Sequence, residues 1–179
     1  MIKTSTFRRN FKCLEQMFEN SINNERNASI KKDYVSSENE ANNQCLLLKL
    51  ALLEFSGWVE ETLDEIYISI GTTENEKELI ERYILSCYSY NERNVKDCLT
   101  FCLGKDKFKN LANSYDKGKK IAFINELNEM SKNRNKNAHT YADVNMLKGG
   151  QMSLAQIKKE FIYFYKAFKI LIKEIDKAK

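Results

Sequence analysis

Apolar residues recur at steps of three and four along most of this chain, which is the spacing of one face of an α-helix. The clearest run lies near the C-terminus, where Ser153 and Gln156 form a capping box that opens a helix. The apolar face of that helix comprises Leu154, Ile157, Phe161, Phe164, Phe168, Leu171 and Ile175. No segment alternates apolar and polar residues as a β-strand does. The pattern therefore predicts an all-α protein, built as an up-down helical bundle.

The same spacing predicts several helices earlier in the chain. They cover about 6–24, 38–69, 74–89, 91–103 and 119–132, with one further short turn within 105–118. Thr73 and Glu76 form a second capping box, and Gly104 ends the helix at 91–103. Residues 25–37 are polar and predict a loop. We therefore expect about five to seven helices in a single domain that covers residues 1–179.

The composition agrees with long helices around one core. The chain has 179 residues, no proline and only six glycines, so little interrupts a helix. Its longest apolar stretch, Cys45 to Phe55, contains Lys49 and Glu54 and is too short to cross a bilayer. No apolar run follows the basic residues near the N-terminus, so we expect no secretory signal. These features predict a soluble, cytoplasmic protein.

Cysteine and histidine usage bears on metals and redox state. Five cysteines stand at irregular spacings, without a Cys-x-x-Cys pair, and the chain has one histidine. Zinc sites need three or four such ligands at characteristic spacings, and catalytic Mg²⁺ needs clustered carboxylates. The sequence therefore predicts reduced thiols, no metal site and no cofactor.

The net charge of +4 hides an uneven distribution. Residues 38–81 carry eleven acids and two lysines, whereas residues 105–136 carry nine bases and four acids. A polyanion is attracted to such a basic segment, so RNA is the expected partner. The candidate phosphate-binding side chains are Lys119, Lys120, Lys132 and Lys136. The alternative is a solvated helical face that pairs with the acidic one.

Chemistry-bearing residues concentrate in one short segment, 134–141. Arg134 precedes His139, the only histidine, by five positions. Histidine exchanges a proton near neutral pH, and the planar guanidinium of arginine suits a phosphate or a developing phosphorane. Arg134 also stands four residues after Met130, so it continues the apolar stripe of the preceding helix if that helix is long enough. These are the residue types that metal-free phosphoryl transfer from an RNA 2′-hydroxyl uses.

The segment resembles the signature of HEPN domains: an arginine, a polar residue, three further positions, then a histidine. Arg134, Asn135 and His139 stand at those places, and Ala138 and the amphipathic helix before them are also similar to the defence-associated branches. The form that adds Tyr141 is similar to HepT-type toxins, in which a partner antitoxin nucleotidylates that tyrosine. The resemblance implies an all-helical, homodimeric ribonuclease that cuts RNA without metal, in prokaryotic defence or a toxin–antitoxin pair.

On this reading, Arg134 and His139 are the catalytic residues, with Asn135 and Tyr141 in support. Cleavage needs both a base and an acid, and a two-fold dimer brings two copies of each catalytic residue into one cleft. Two alternatives stay open. In one, the chain is a non-catalytic helical module that dimerises or binds nucleic acid or protein. In the other, it is a toxin held inactive by an antitoxin that acts on Tyr141.

Overall fold

A computed structural model describes residues 2–87, 90–139 and 152–178. Within these ranges the chain forms seven α-helices and no strand: α1 Ser5–Ile30, α2 Tyr34–Ile68, α3 Glu74–Leu85, α4 Glu92–Leu103, α5 Lys105–Ser114, α6 Lys117–His139 and α7 Leu154–Ala178. The prediction of an all-α protein is confirmed for this part of the chain. None of the helices in these ranges is long and apolar enough to cross a membrane.

The chain folds into two compact units. The first unit is formed by Lys3–Gly57 and Arg134–Phe161, and the second by Trp58–Asn133 and Ile162–Lys179. Each unit therefore takes residues from α2, α6 and α7. The expectation of a single domain stays a prediction.

Aromatic side chains form the core of the first unit. The ring of Phe7 stacks on Phe161 at 4.7 Å between centroids, and it also packs near Phe11 and Phe55. Because Phe7 and Phe11 are one turn apart on α1, the helical spacing read from the sequence brings both to this core. At its edge, Lys158 of α7 pairs with Glu15 of α1 at 2.5 Å.

The core of the second unit is built around α6 and α7. Phe123 of α6 packs edge-on against Phe164 and Phe168 of α7. The ring of Trp58 of α2 also packs edge-on against Phe168, at 5.8 Å between ring centroids. Leu127 of α6 is fully buried.

On α7, every member of the predicted apolar face except the first is buried, namely Ile157, Phe161, Phe164, Phe168, Leu171 and Ile175. The predicted face of α7 and its capping box are both confirmed.

The predicted loop at 25–37 is wrong for most of its length. Helix α1 continues to Ile30 and α2 begins at Tyr34, so the connection is three residues long. Lys32 adopts a left-handed conformation with φ 58°, and the N–H groups of Lys32 and Asp33 donate to Ser29 and Ala28 in a Schellman arrangement. The Asp33 carboxylate then accepts from the N–H of Ser36 and caps α2. A lysine at the position usually held by glycine is the reason that the sequence did not reveal this tight turn.

Turn chemistry also sets the shorter helices. Thr73 and Glu76 form the predicted capping box, and the hydrogen bonds that the Glu76 carboxylate accepts from Thr72 and Thr73 lower its pKa to about 2. Helix α3 ends at Leu85, several residues before the predicted end near 89. Gly104, at φ 78°, ends α4 as predicted and directly precedes α5. Helix α5 has ten residues, whereas the sequence predicted one short turn within 105–118.

Candidate functional site

Helix α6 carries most of the residues singled out by the sequence. It begins at Lys117, where the Asp116 carboxylate accepts a hydrogen bond from the N–H of Lys119 at 2.8 Å and caps the helix. It ends at His139, seven residues beyond the end predicted from periodicity. Residues 119–139 contain neither glycine nor proline, so nothing local stops the helix at 132.

The apolar stripe of α6 leads to Arg134. Phe123, Leu127 and Met130 are all buried, as their spacing predicts. Arg134 comes one helical turn after Met130, on the same helix face, and is half-buried. The helix therefore extends past Arg134, which was the condition for Arg134 to continue the apolar stripe. A cation continues a stripe that is otherwise apolar.

The other motif residues are only partly described. Asn135 and Lys136 are exposed on α6. His139 is the last residue of α6, and its side chain lies outside the described part, as does the whole of Tyr141. In an α-helix, five residues correspond to about 140° of rotation and about 7.5 Å of rise, so the backbone positions of Arg134 and His139 lie on different faces. Position 139 shares its face with Lys136, three residues earlier.

The candidate phosphate-binding lysines differ in their surroundings. Lys119 and Lys120 are exposed in the first turn of α6. Lys132 forms an ion pair with Glu129 at 2.6 Å, and both side chains are well exposed. An exposed pair of this kind stabilises the helix by at most about 0.5 kcal/mol, so an RNA phosphate can compete for Lys132. Lys119, Lys120 and Lys132 belong to the second unit, whereas Arg134 and Lys136 belong to the first.

The structure reveals a polar cluster in the second unit that sequence spacing did not predict. The Tyr90 hydroxyl donates to the Asp64 carboxylate at 2.6 Å, and the sulfurs of Cys87 and Cys98 are 3.6 Å apart. Burial raises the pKa of Asp64 and the pKa of Cys98. Asp64 lies on α2 and Cys98 on α4, whereas Cys87 follows α3 and Tyr90 precedes α4, so only tertiary packing brings them together. The sole signal in the sequence is the number of cysteines between 87 and 102.

No group of three or more His, Cys, Asp or Glu side chains in residues 2–87, 90–139 and 152–178 is arranged to hold a metal ion. We compared the chain with family models, curated proteins and solved structures, and none of them matches it. Function must therefore be argued from the residues themselves.

Proposed function

We propose that this protein is a metal-independent endoribonuclease of the HEPN type that acts as a homodimer. The observation that carries the proposal is the position of Arg134 at the end of the buried stripe of α6, five residues before the histidine that ends the same helix. A half-buried guanidinium is held more firmly than one on an exposed side chain, and its planar fork of donors matches a phosphate. That combination suits a group that binds a phosphate and stabilises its transition state.

In the proposed reaction the 2′-hydroxyl of a ribose attacks the adjacent phosphorus. One His139 accepts the proton of that hydroxyl, and the His139 of the second copy donates a proton to the departing 5′-oxygen. Arg134 binds the non-bridging oxygens, where negative charge increases. The products are a 2′,3′-cyclic phosphate and a 5′-hydroxyl. Asn135 is proposed to orient the phosphate or a water, and Tyr141 to contact the substrate.

The helical register supports the need for two copies. Arg134 and His139 of one chain stand on faces of α6 that differ by about 140°, so a single helix does not present both positions to one side. A two-fold axis brings the arginine of one copy toward the histidine of the other. The dimer also supplies the second histidine, which one chain lacks.

The exposed lysines of α6 give the proposed enzyme its affinity for RNA. Lys119, Lys120, Lys132 and Lys136 are exposed, and the ion pair of Lys132 with Glu129 is exposed as well. Phosphate contacts of this kind position a nucleic acid without reading its sequence. From the resemblance to HEPN domains we further propose that the activity serves prokaryotic defence or a toxin–antitoxin pair, with Tyr141 as the residue that an antitoxin would modify.

The decisive experiment is RNA cleavage in excess EDTA by the wild type and by His139→Ala and Arg134→Ala. We expect the wild type to cut and each variant to lose about 10²–10⁴-fold in rate, the usual cost of removing a general acid/base or a transition-state charge partner. Arg134→Lys tests geometry, since it keeps the charge but loses the planar fork. Asn125→Ala, at an exposed position on the same helix, is the control and should cut as the wild type does. A substrate with 2′-deoxyribose at the cleavage position should resist.

Equal cleavage by His139→Ala and the wild type would contradict the nuclease proposal. The absence of any cleavage by a folded wild type, together with salt-sensitive RNA binding, would favour the second candidate function. That candidate is a non-catalytic module that binds nucleic acid, and the exposed lysines of α6 are the observation that favours it.

A further inference from the structure

Two cysteines from different helical segments touch each other in the second unit. The Sγ atoms of Cys87 and Cys98 are 3.6 Å apart, although eleven positions separate the residues along the chain. Cys98 lies within α4 and is buried, whereas Cys87 follows the last residues of α3 and is only half-buried. Cys87 is therefore the more exposed residue of the pair.

The packing around the pair holds it in place. Tyr83 of α3 and Phe101 of α4 stack in parallel at 4.1 Å between centroids, which fixes the two helices against each other. The N–H of Cys87 donates to the carbonyl of Ile84 at 2.8 Å, so its backbone still belongs to the end of α3. A disulfide bond is about 2.0 Å long, so the sulfurs need to approach by about 1.5 Å. A helix end can accommodate such a shift more easily than a helix interior, since its hydrogen bonds fray.

We propose that Cys87 and Cys98 are an oxidation site, which forms a reversible disulfide when the protein meets a peroxide. The Cys87 thiolate attacks one peroxide oxygen, the O–O bond breaks, and Cys87 becomes a sulfenic acid while hydroxide leaves. The Cys98 sulfur then attacks the Cys87 sulfur, the S–O bond breaks, and the departing oxygen takes the Cys98 proton and leaves as water. The hydroxide takes up the proton that Cys87 released on forming its thiolate, so two thiols lose two electrons and one hydrogen peroxide is reduced to two waters. A dithiol reductant reverses the change by thiol–disulfide exchange.

The burial of Cys98 affects the rate of the second step. Burial raises its pKa, so its thiolate is scarce and the second step is slower than the same step between exposed thiols. The sulfenic acid on Cys87 should therefore live long enough to be trapped by a dione such as dimedone. Cys102, one turn after Cys98 on α4, is the competing partner, and burial raises its pKa to about 12.

The test uses the full chain treated with hydrogen peroxide, digested with trypsin and analysed by mass spectrometry without reduction. Cleavage after Arg82, Arg93, Lys96 and Lys105 places Cys87 on one peptide and both Cys98 and Cys102 on another. We expect a linkage between these two peptides that exceeds every other cysteine pair by about tenfold or more, because held groups have a high effective concentration. The same treatment in urea supplies the comparison without a fold. There the preference should disappear.

Cysteine variants identify which two sulfur atoms form the disulfide. The linkage should persist in Cys102→Ser and in the double variant Cys13→Ser with Cys45→Ser, which removes the two cysteines of the first unit. It should vanish in Cys98→Ala, which keeps the interior apolar, and Cys87 should then accumulate the dimedone adduct. In Cys87→Ser, Cys98 should stay reduced because it is buried.

Two results would overturn the proposal. One is a distribution of linkages that is the same in the folded and the urea-unfolded protein. The other is loss of the linkage in Cys102→Ser, which would assign the bond to Cys102. Neither readout depends on ribonuclease activity, so this proposal and the proposed function can fail separately.

Discussion

Hydrogen bonding of the interior polar side chains differs from residue to residue. Tyr90 donates to Asp64 at 2.6 Å, whereas the hydroxyl of Tyr67 is fully buried and has no hydrogen-bond partner within the described residues. Burial is the largest cause that raises the pKa of Asp64, and the hydrogen bond from Tyr90 acts in the opposite direction. The hydrogen bond from Tyr90 therefore favours the ionised form of Asp64.

The variant Tyr90→Phe tests this dependence through pH. Because the pKa of Asp64 is already raised in the folded state, the folded protein binds more protons than the unfolded chain, and stability falls as pH rises through the folded pKa. Removing the donor should raise this pKa further. We therefore expect a loss of about 1–2 kcal/mol in the free energy of unfolding near pH 7 and a smaller loss near pH 3, where Asp64 is protonated. Urea unfolding at both pH values measures the difference.

Tyr83→Phe is the matched control. The ring of Tyr83 stacks on Phe101, and that contact survives removal of the hydroxyl. Its effect on stability should not change between pH 3 and pH 7. An equal loss for Tyr90→Phe at both pH values would show that the bond to Asp64 does not favour the charged carboxylate.

At the scale of elements, the sequence was most informative where side chains act locally. Both capping boxes form as predicted, since their hydrogen bonds join residues only three apart. The apolar faces of α6 and α7 are buried for the same reason: a fixed helical period determines which residues share a face. The turn at Lys32 was not predictable, because a lysine at a left-handed position gives no compositional signal.

The candidate site likewise has one part that follows from local spacing and another part that does not. The position of Arg134 at the end of the apolar stripe follows from spacing once the helix is long enough, and the structure supplies that length. The contact between Cys87 and Cys98 depends on how α3 and α4 pack, and that information is not local. The motif at 134–141 gives residue types for a reaction, but the proposed composite site also needs a second copy of the chain, which spacing along one chain does not reveal.

The N-terminal turn of α6 yields a prediction about RNA binding. In the double variant Lys119→Glu with Lys120→Glu, we expect weaker binding and a shallower dependence of log affinity on log salt, by roughly 1.4, since each lost phosphate contact removes about 0.7 for single-stranded RNA. Fluorescence anisotropy over a series of salt concentrations measures both quantities.

Lys31→Glu with Lys32→Glu is the control for that variant. It changes the charge of another adjacent, exposed lysine pair by the same amount, in the turn between α1 and α2. An equal loss of affinity in the two double variants would mean that net charge, and not the first turn of α6, determines binding.

The single histidine makes the proposed enzyme depend on the assembly of two copies of the chain. In the proposed reaction one histidine acts as base and the other as acid, so a dimer with one intact copy should lose most of its activity. The wild type should therefore have a solution mass of twice 21.0 kDa by light scattering. This mass tests the dimer even if no RNA substrate is found.

Mixed dimers test the shared cleft. Wild type and His139→Ala are unfolded together and refolded at known ratios, so that the copies pair at random. If both histidines serve one cleft, activity should follow the square of the wild-type fraction, and an equal mixture should retain about a quarter of the wild-type rate. If each copy acts alone, the equal mixture should retain about half. Mixing with Asn125→Ala should leave the rate unchanged, which controls for refolding. A linear decline, together with the mass of a single chain, would show that one copy of Arg134 and His139 is sufficient, and the composite site would then be wrong.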